Sequence, residues 1–147
     1  MMYTFYRSNQ IALIALNWSA KFRTISENMI VKRIFNSSKF FQPSTGEPIR
    51  SVITETPDAV IVAWYIQPGQ EIAAHVHPQG QDTWTILSGR GDYYLDKSGS
   101  KQSIEMGDVV IAPAGSVHGV VNNSDESLVF ISVVSPLNAG YQLVEIG

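Results

Sequence analysis

Residues 69–89 read Gly69-Gln70-Glu71-Ile72-Ala73-Ala74-His75-Val76-His77-Pro78-Gln79-Gly80-Gln81-Asp82-Thr83-Trp84-Thr85-Ile86-Leu87-Ser88-Gly89. Two of the chain's three histidines fall here, one residue apart on an extended segment. Side chains on extended backbone alternate faces, so both imidazoles leave the same side, about 7 Å apart at their Cα atoms. That spacing lets two neutral imidazoles converge on one ion. Asp82 follows the turn Pro78-Gln79-Gly80 and opens the next alternating run, where a tight turn lets it face the pair. His118, after Pro113-Ala114-Gly115, is expected to join them through antiparallel pairing. Spacing permits chelation without requiring it, so His-x-His alone is equally well explained by hydrogen-bonded or surface histidines.

Outward from this stretch the sequence reads as strands. Ala59 to Ile66 is a β-branched and aromatic run bounded by Pro57-Asp58 and Pro68-Gly69. Thr83 to Leu87 alternates and stops at Ser88-Gly89; Asp92 to Leu95 follows, with a turn through Lys97 to Ser100. Val109 to Ala112, His118 to Val121 and Leu128 to Val134 complete the set, the last two separated by Asn122-Asn123-Ser124-Asp125. No amphipathic helix of ten or more residues appears between Ala59 and Pro136. Short strands with turn signals every 8–12 residues favour an antiparallel sandwich or barrel, so the expected class is all-β with one domain.

Composition narrows the chemistry. With 147 residues, 44% hydrophobic and only 16% charged, the chain can bury a sizeable core and is expected to fold as one soluble unit. The net charge of −3, with no Lys/Arg run, argues against nucleic acid or an anionic membrane as partner. There is no cysteine, which excludes disulfides, thiolate catalysis and thiolate metal sites. A metal here has only imidazole, carboxylate, amide or water to hold it. The lack of cysteine fits a cytoplasmic protein.

Residues 1–28 stand apart. Ile11 to Trp18 is apolar after Arg7, like a short signal-peptide h-region, yet it is far below a membrane span. No small-x-small cleavage site follows, because Lys21 and Phe22 come directly after Ser19-Ala20. An N-terminal arm packing on the barrel, or an extension upstream of a start at Met29, are the alternatives. The expected division is an arm or extension over 1–28 and the barrel over 29–147.

Two gapped patterns carry a family resemblance. Gly69, five residues, His75-Val76-His77, four residues, Asp82, six residues and Gly89 resemble the first cupin motif, in which a glutamate usually stands where Asp82 does. Gly107, five residues, Pro113-Ala114-Gly115, two residues, His118, three residues and Asn122 resemble the second at every fixed position. The resemblance covers residues 59–136. It implies an antiparallel double-stranded β-helix, or jelly-roll, and one bound divalent metal. It also implies, in many members, a homodimer formed by exchanging edge strands. A small barrel with exposed strand edges has a physical reason to pair in this way.

Each fixed residue has its own rationale. Gly69, Gly89 and Gly107 suit positive-φ turn positions. Pro113 pre-sets a turn and Gly115 supplies its bend, while Asn122 is better read as a turn-former than as a ligand. The metal ligands implied are His75, His77 and His118, with Asp82 as fourth. Asp82 is one methylene shorter than the family's glutamate, so direct binding, binding through a water and a three-histidine site all stay open. Gln81 is the neighbour able to substitute, but parity aims it away if Asp82 faces inward. Two positions of an octahedral shell then remain for substrate or O₂. Mixed nitrogen and oxygen ligands suit Fe, Mn, Ni, Zn, Co or Cu alike.

Parity also proposes a pocket. If Asp82 points inward, so do Trp84 and Ile86; if His118 does, so does Val120. Trp64 or Tyr65, and Tyr93 or Tyr94, add aromatic surface. An apolar pocket with a metal and few charges suits a small organic molecule. No cation is placed to capture a carboxylate, unless Arg90 lies at the rim. No general acid or base stands out; Glu71 and Tyr94 are candidates only in that they lie near the motif in sequence. Gly89-Arg90-Gly91 lacks the third glycine and helix of a dinucleotide site, and Ser116 lacks the strand-turn-helix elbow of a hydrolase.

A fold hosts many chemistries, and three functional classes follow. The first is a metal-dependent enzyme on a small oxygenated molecule, of dioxygenase or lyase/isomerase type. The second is a non-catalytic barrel that binds a sugar or metabolite. The third is a structural barrel with an adventitious metal.

Overall fold

The structure, a computed structural model, describes residues 32–147. The expected N-terminal arm over 1–28, with its apolar run, lies outside the described residues. Asn36–Gly147 forms one compact unit. It opens with a single 3-10 turn, Ser37–Lys39, capped by the Asn36 side chain.

Ten strands follow: β1 Ser51–Glu55, β2 Val60–Ile66, β3 Glu71–Val76, β4 Gln81–Ser88, β5 Arg90–Tyr94, β6 Lys101–Glu105, β7 Val109–Ala112, β8 His118–Val121, β9 Leu128–Ser135 and β10 Gln142–Leu143. They pair antiparallel in two five-stranded sheets, ordered β1-β2-β9-β4-β7 and β10-β3-β8-β5-β6. The all-β jelly-roll expected from the sequence is the fold observed.

Two-residue periodicity decides which side chains fill the interior. On β9, Leu128, Phe130, Ser132 and Val134 are buried and alternate with half-buried neighbours. On β4 the buried set is Asp82, Trp84 and Ile86. Register lays the two rows together: Asp82 opposes Val134, Trp84 opposes Ser132 and Ile86 opposes Phe130. Trp84 stacks on Phe130 with ring centroids 4.4 Å apart and meets Tyr93 edge-on at 5.2 Å. Such pairs add about 0.5–1.5 kcal/mol each to the gain from burial. Ile66, Ile104, Val120 and Leu128 close the cluster.

Two turns show why their glycines are needed. Gly89 has φ +76°, and a Cβ there would collide with the Ser127 carbonyl. Gly80 carries no unusual φ, but a Cβ would meet Ala139 and the Ser135 carbonyl. A bare backbone at Gly80 therefore admits the segment after β9, which reaches the site described next.

Candidate metal centre

His75 is the last buried residue of β3 and pairs directly across the sheet with His118, the first residue of β8. A register shift between Ile72 and His75 sets the end of β3, and His77 lies one residue beyond it. The His77 carbonyl accepts from the Gly115 N–H at 2.9 Å, which ties the two motifs together at the turn. Asp82, second residue of β4, faces them from the other sheet. His75, His77, Asp82 and His118 each offer one ligand atom, and these four atoms all lie within 4.8 Å of one another. His75, Asp82 and His118 are 5%, 4% and 1% exposed.

The backbone fixes how each imidazole is protonated. His75 Nδ1 lies 2.8 Å from the Ala73 carbonyl, His77 Nδ1 2.6 Å from that of Gly140, and His118 Nδ1 2.9 Å from that of Ser116. A carbonyl only accepts, so all three Nδ1 atoms carry the hydrogen. In the neutral ring Nε2 is then a bare lone pair, the state a metal ligand needs.

Asp82 is oriented in the same way. Ser132 Oγ donates to its Oδ1 at 2.6 Å, leaving Oδ2 3.4 Å from His118 Nε2 and 3.7 Å from His77 Nε2. His118 Nε2 is fully buried and makes no hydrogen bond, and Trp84 Nε1 nearby is likewise without a partner.

Acceptors thus converge, and the donor near them, the Trp84 Nε1–H, makes no hydrogen bond. Buried acceptors left in that state cost about 1–3 kcal/mol each, and a shared cation relieves them all. A divalent transition metal fits this donor set of three imidazoles and one carboxylate.

The titration of the cluster tells the same story with a proton as the cation. Burial opposes the Asp82 charge, yet the polar groups of His118, His77, Ser132 and Trp84 outweigh it and hold the carboxyl far below its usual range. Burial, then the neighbouring His118 and His77, pushes His75 down to about 4. His77 goes the other way: burial opposes its charge, but the Asp82 carboxylate and the Gly140 carbonyl overcome that and raise it. An imidazole between two acceptors is where a proton settles when no metal competes for it.

His75, His77 and Asp82 line a cavity of about 680 Å³ between the two sheets, with His118 buried behind them. Its walls are Val60, Val62 and Trp64 from β2, Ile72 from β3, Trp84 from β4, Ser132 and Val134 from β9, and Leu137 to Tyr141 beyond β9. Tyr141 lies over the His75 ring at 4.9 Å between centroids.

Of the pocket residues expected from parity, Trp84 lines the cavity. Ile86 and Val120 do not: they share its face of their strands but lie deeper, at 2% and 0% exposure in the packed core. Parity fixes the face of a strand, not the depth along the barrel. Gln81 turns outward to Thr83 Oγ1. Asn122 is structural, its Nδ2 donating to the Ile66 and Glu126 carbonyls and its Oδ1 accepting from Ser124.

The acid/base expectation is corrected. Tyr94 donates to Glu71 Oε1 at 2.8 Å, and neither lines the cavity, because Tyr93 occupies the inward position on β5. Arg90 is corrected too. It lies by a separate shallow cleft and pairs loosely with Asp125 at 3.8 Å, both side chains exposed. The arginine on the cavity is Arg50, just before β1, and no spacing rule ties it to the histidines.

The comparisons agree with this architecture. The model of the cupin domain family matches residues 62–134. A Klebsiella pneumoniae protein with a double-stranded β-helix domain is 50% identical, with a TM-score of 0.75 over 78% of this chain and 99% of that one. An uncharacterised protein of Aquifex aeolicus is 31% identical over 94 residues, 64% of this chain and 74% of its own length. KdgF from Halomonas sp., 24% identical, shares the fold with a TM-score of 0.60 over 72% of this chain and 94% of that one. With both histidine motifs in place on a double-stranded β-helix, the chain belongs to the cupin family.

Proposed function

We propose that this cupin is a metal-dependent enzyme acting on a small oxygenated organic molecule, of the dioxygenase or lyase/isomerase type. The observation that carries the reading is the set of three imidazoles, each with Nδ1–H given to a backbone carbonyl, whose Nε2 atoms meet Asp82 Oδ2 on the wall of a 680 Å³ cavity. His75, His77, His118 and Asp82 would hold one ion of Fe, Mn, Ni, Zn, Co or Cu, with Asp82 as a direct ligand. Such an ion supplies Lewis acidity or a site for O₂. Four protein ligands leave room for the reacting molecule, and the walls offer it mainly apolar surface.

Trp84 is the pocket residue we retain from the sequence, while Ile86 and Val120 support it from beneath. Among the described residues Tyr141 is the one titratable wall residue outside the ligand set and Arg50; burial raises its pKa, so its phenol stays a proton donor at neutral pH.

Among the described residues the wall carries no further carboxylate or histidine, which favours a second reading, a barrel that binds a sugar or metabolite without turning it over. A homodimer in the cytoplasm completes the proposal. Exposed Val109 and Ile111 on the edge strand β7 support pairing with a second copy. Among the described residues no helix is long and apolar enough to cross a membrane.

The test is a turnover screen of metal-reconstituted protein against small acids, phenols and sugar derivatives, read by mass spectrometry. Product that disappears on chelation and in a His75→Ala/His118→Ala variant is expected. Product that survives both contradicts the enzyme reading, and tight binding by metal-free protein with no product supports the second.

A further inference from the structure

Among the described residues the cavity has one cation of its own, Arg50. Arg50 is exposed, borders the cavity, and its guanidinium makes no ion pair or hydrogen bond among the described residues. The other described wall residues are uncharged except for the ligand set, with Val60, Val62 and Val134 as apolar surface. An unpaired guanidinium beside an apolar cavity is a recognition element, because its fork matches a planar carboxylate through two parallel hydrogen bonds.

Charge points the same way. Three neutral imidazoles, one carboxylate and a divalent ion sum to a single positive charge, and Arg50 adds a second. A ligand that is anionic at one end and oxygen-rich at the other neutralises one charge and offers lone pairs to the other. Phosphate is the less suitable anion, since its sites usually recruit a helix N-terminus or several donors together. Among the described residues the only helical element is the three-residue turn Ser37–Lys39.

We infer that the cavity takes an organic acid whose carboxylate is held by Arg50 and whose second oxygen faces the His75/His77/Asp82/His118 cluster, its carbon skeleton lying on the valine wall. This deepens the proposed function and rests on it for the second oxygen only. Arg50 is then a specificity-determining residue that selects acids over neutral analogues.

The experiment uses full-length protein and matched probes: salicylate and mandelate, their neutral amides salicylamide and mandelamide, and inorganic phosphate. Binding is followed by calorimetry for the native protein, Arg50→Gln and Arg50→Lys, with metal content and melting temperature measured on each. The acids are expected to bind more tightly than the amides. Arg50→Gln should weaken the acids about ten- to hundred-fold and leave the amides unchanged, Arg50→Lys should restore part of the loss, and metal content should not move. Acids that bind Arg50→Gln as well as the native protein, or bind neither, overturn the inference, as does phosphate binding that is equally tight and equally dependent on Arg50. Acid binding that depends on Arg50 in protein unable to hold metal keeps the Arg50 subsite and removes the metal-based function instead.

Discussion

The two ends of the barrel interior are built by the same strands and could hardly differ more. On β4, Asp82 and Ile86 are four residues apart on one face; on β8, His118 and Val120 are two apart; on β9, Ser132 is followed inward by Phe130 and Leu128. One end is filled by interlocked apolar side chains, and the other opens into the cavity with acceptors converging on its wall. Trp84 belongs to both, stacked on Phe130 with its indole on the cavity. The deep end contributes stability to the native state; the open end holds hydrogen-bonded ligand groups whose remaining lone pairs a cation would satisfy. A fold can afford such a cluster when half of its interior is conventionally packed.

That contrast is most sharply broken at the deep end. Phe130→Ala is expected to destabilise the protein by about 3–5 kcal/mol, read from urea unfolding. Protein that stays folded should bind added divalent metal as the native protein does. A loss under 1 kcal/mol would mean that the stack of Trp84 on Phe130 is not the anchor it looks to be.

Next in size is the opposite change at the open end. His118→Leu should lower metal affinity at least about a hundred-fold, since each ligand carries a large share of the binding energy. Without metal, the same variant should be no more stable than the native protein, because removal of a buried acceptor lacking a hydrogen bond is offset by loss of the Nδ1–H that serves the Ser116 carbonyl and of the group that supports the Asp82 charge. Competition with a chromophoric chelator and melting curves with and without metal check both halves.

A smaller effect is expected at Ser132, which touches Asp82 and not the metal. Ser132→Ala frees Oδ1 and should reduce metal affinity about ten- to hundred-fold, the usual cost of a lost supporting hydrogen bond, with little change in unfolding.

The smallest is a pH effect. Metal binding needs neutral imidazole, so affinity falls as pH falls through the raised pKa of His77, by up to about ten-fold per pH unit for one competing proton. His75, at about 4, contributes only in stronger acid. Apparent metal affinity, followed by chelator competition across this range, should begin to fall above pH 6.5, the ordinary histidine value. Affinity that stays flat down to pH 5 would show that His77 is not the proton's site.

The sequence was legible where pattern and packing coincide. β2, β7, β8 and β9 are β-branched runs between turn residues, and their bounds fall within one residue of those expected. β6 escapes such a reading because only Ile104 of its five residues is buried, so no alternation marks it. β1 is interrupted by a register shift and β10 has two residues, both exposed. The ligand cluster was legible because two motifs carry every member of it.

The rest of the site was not, for a physical reason: Arg50, Tyr141 and the Gly140 carbonyl reach the histidines only through tertiary approach. Gly80, bare of a side chain, is what lets the segment beyond β9 come close, and nothing in its own neighbourhood announces that contact.

The central claim is that this cluster holds a metal. The most direct measurement is elemental analysis of protein purified without added metal or chelator, beside the His75→Ala/His118→Ala variant. About one equivalent of a divalent transition metal per chain, lost in the variant, is the predicted result. No metal in either protein, together with a native melting temperature that added metal fails to raise, would contradict it.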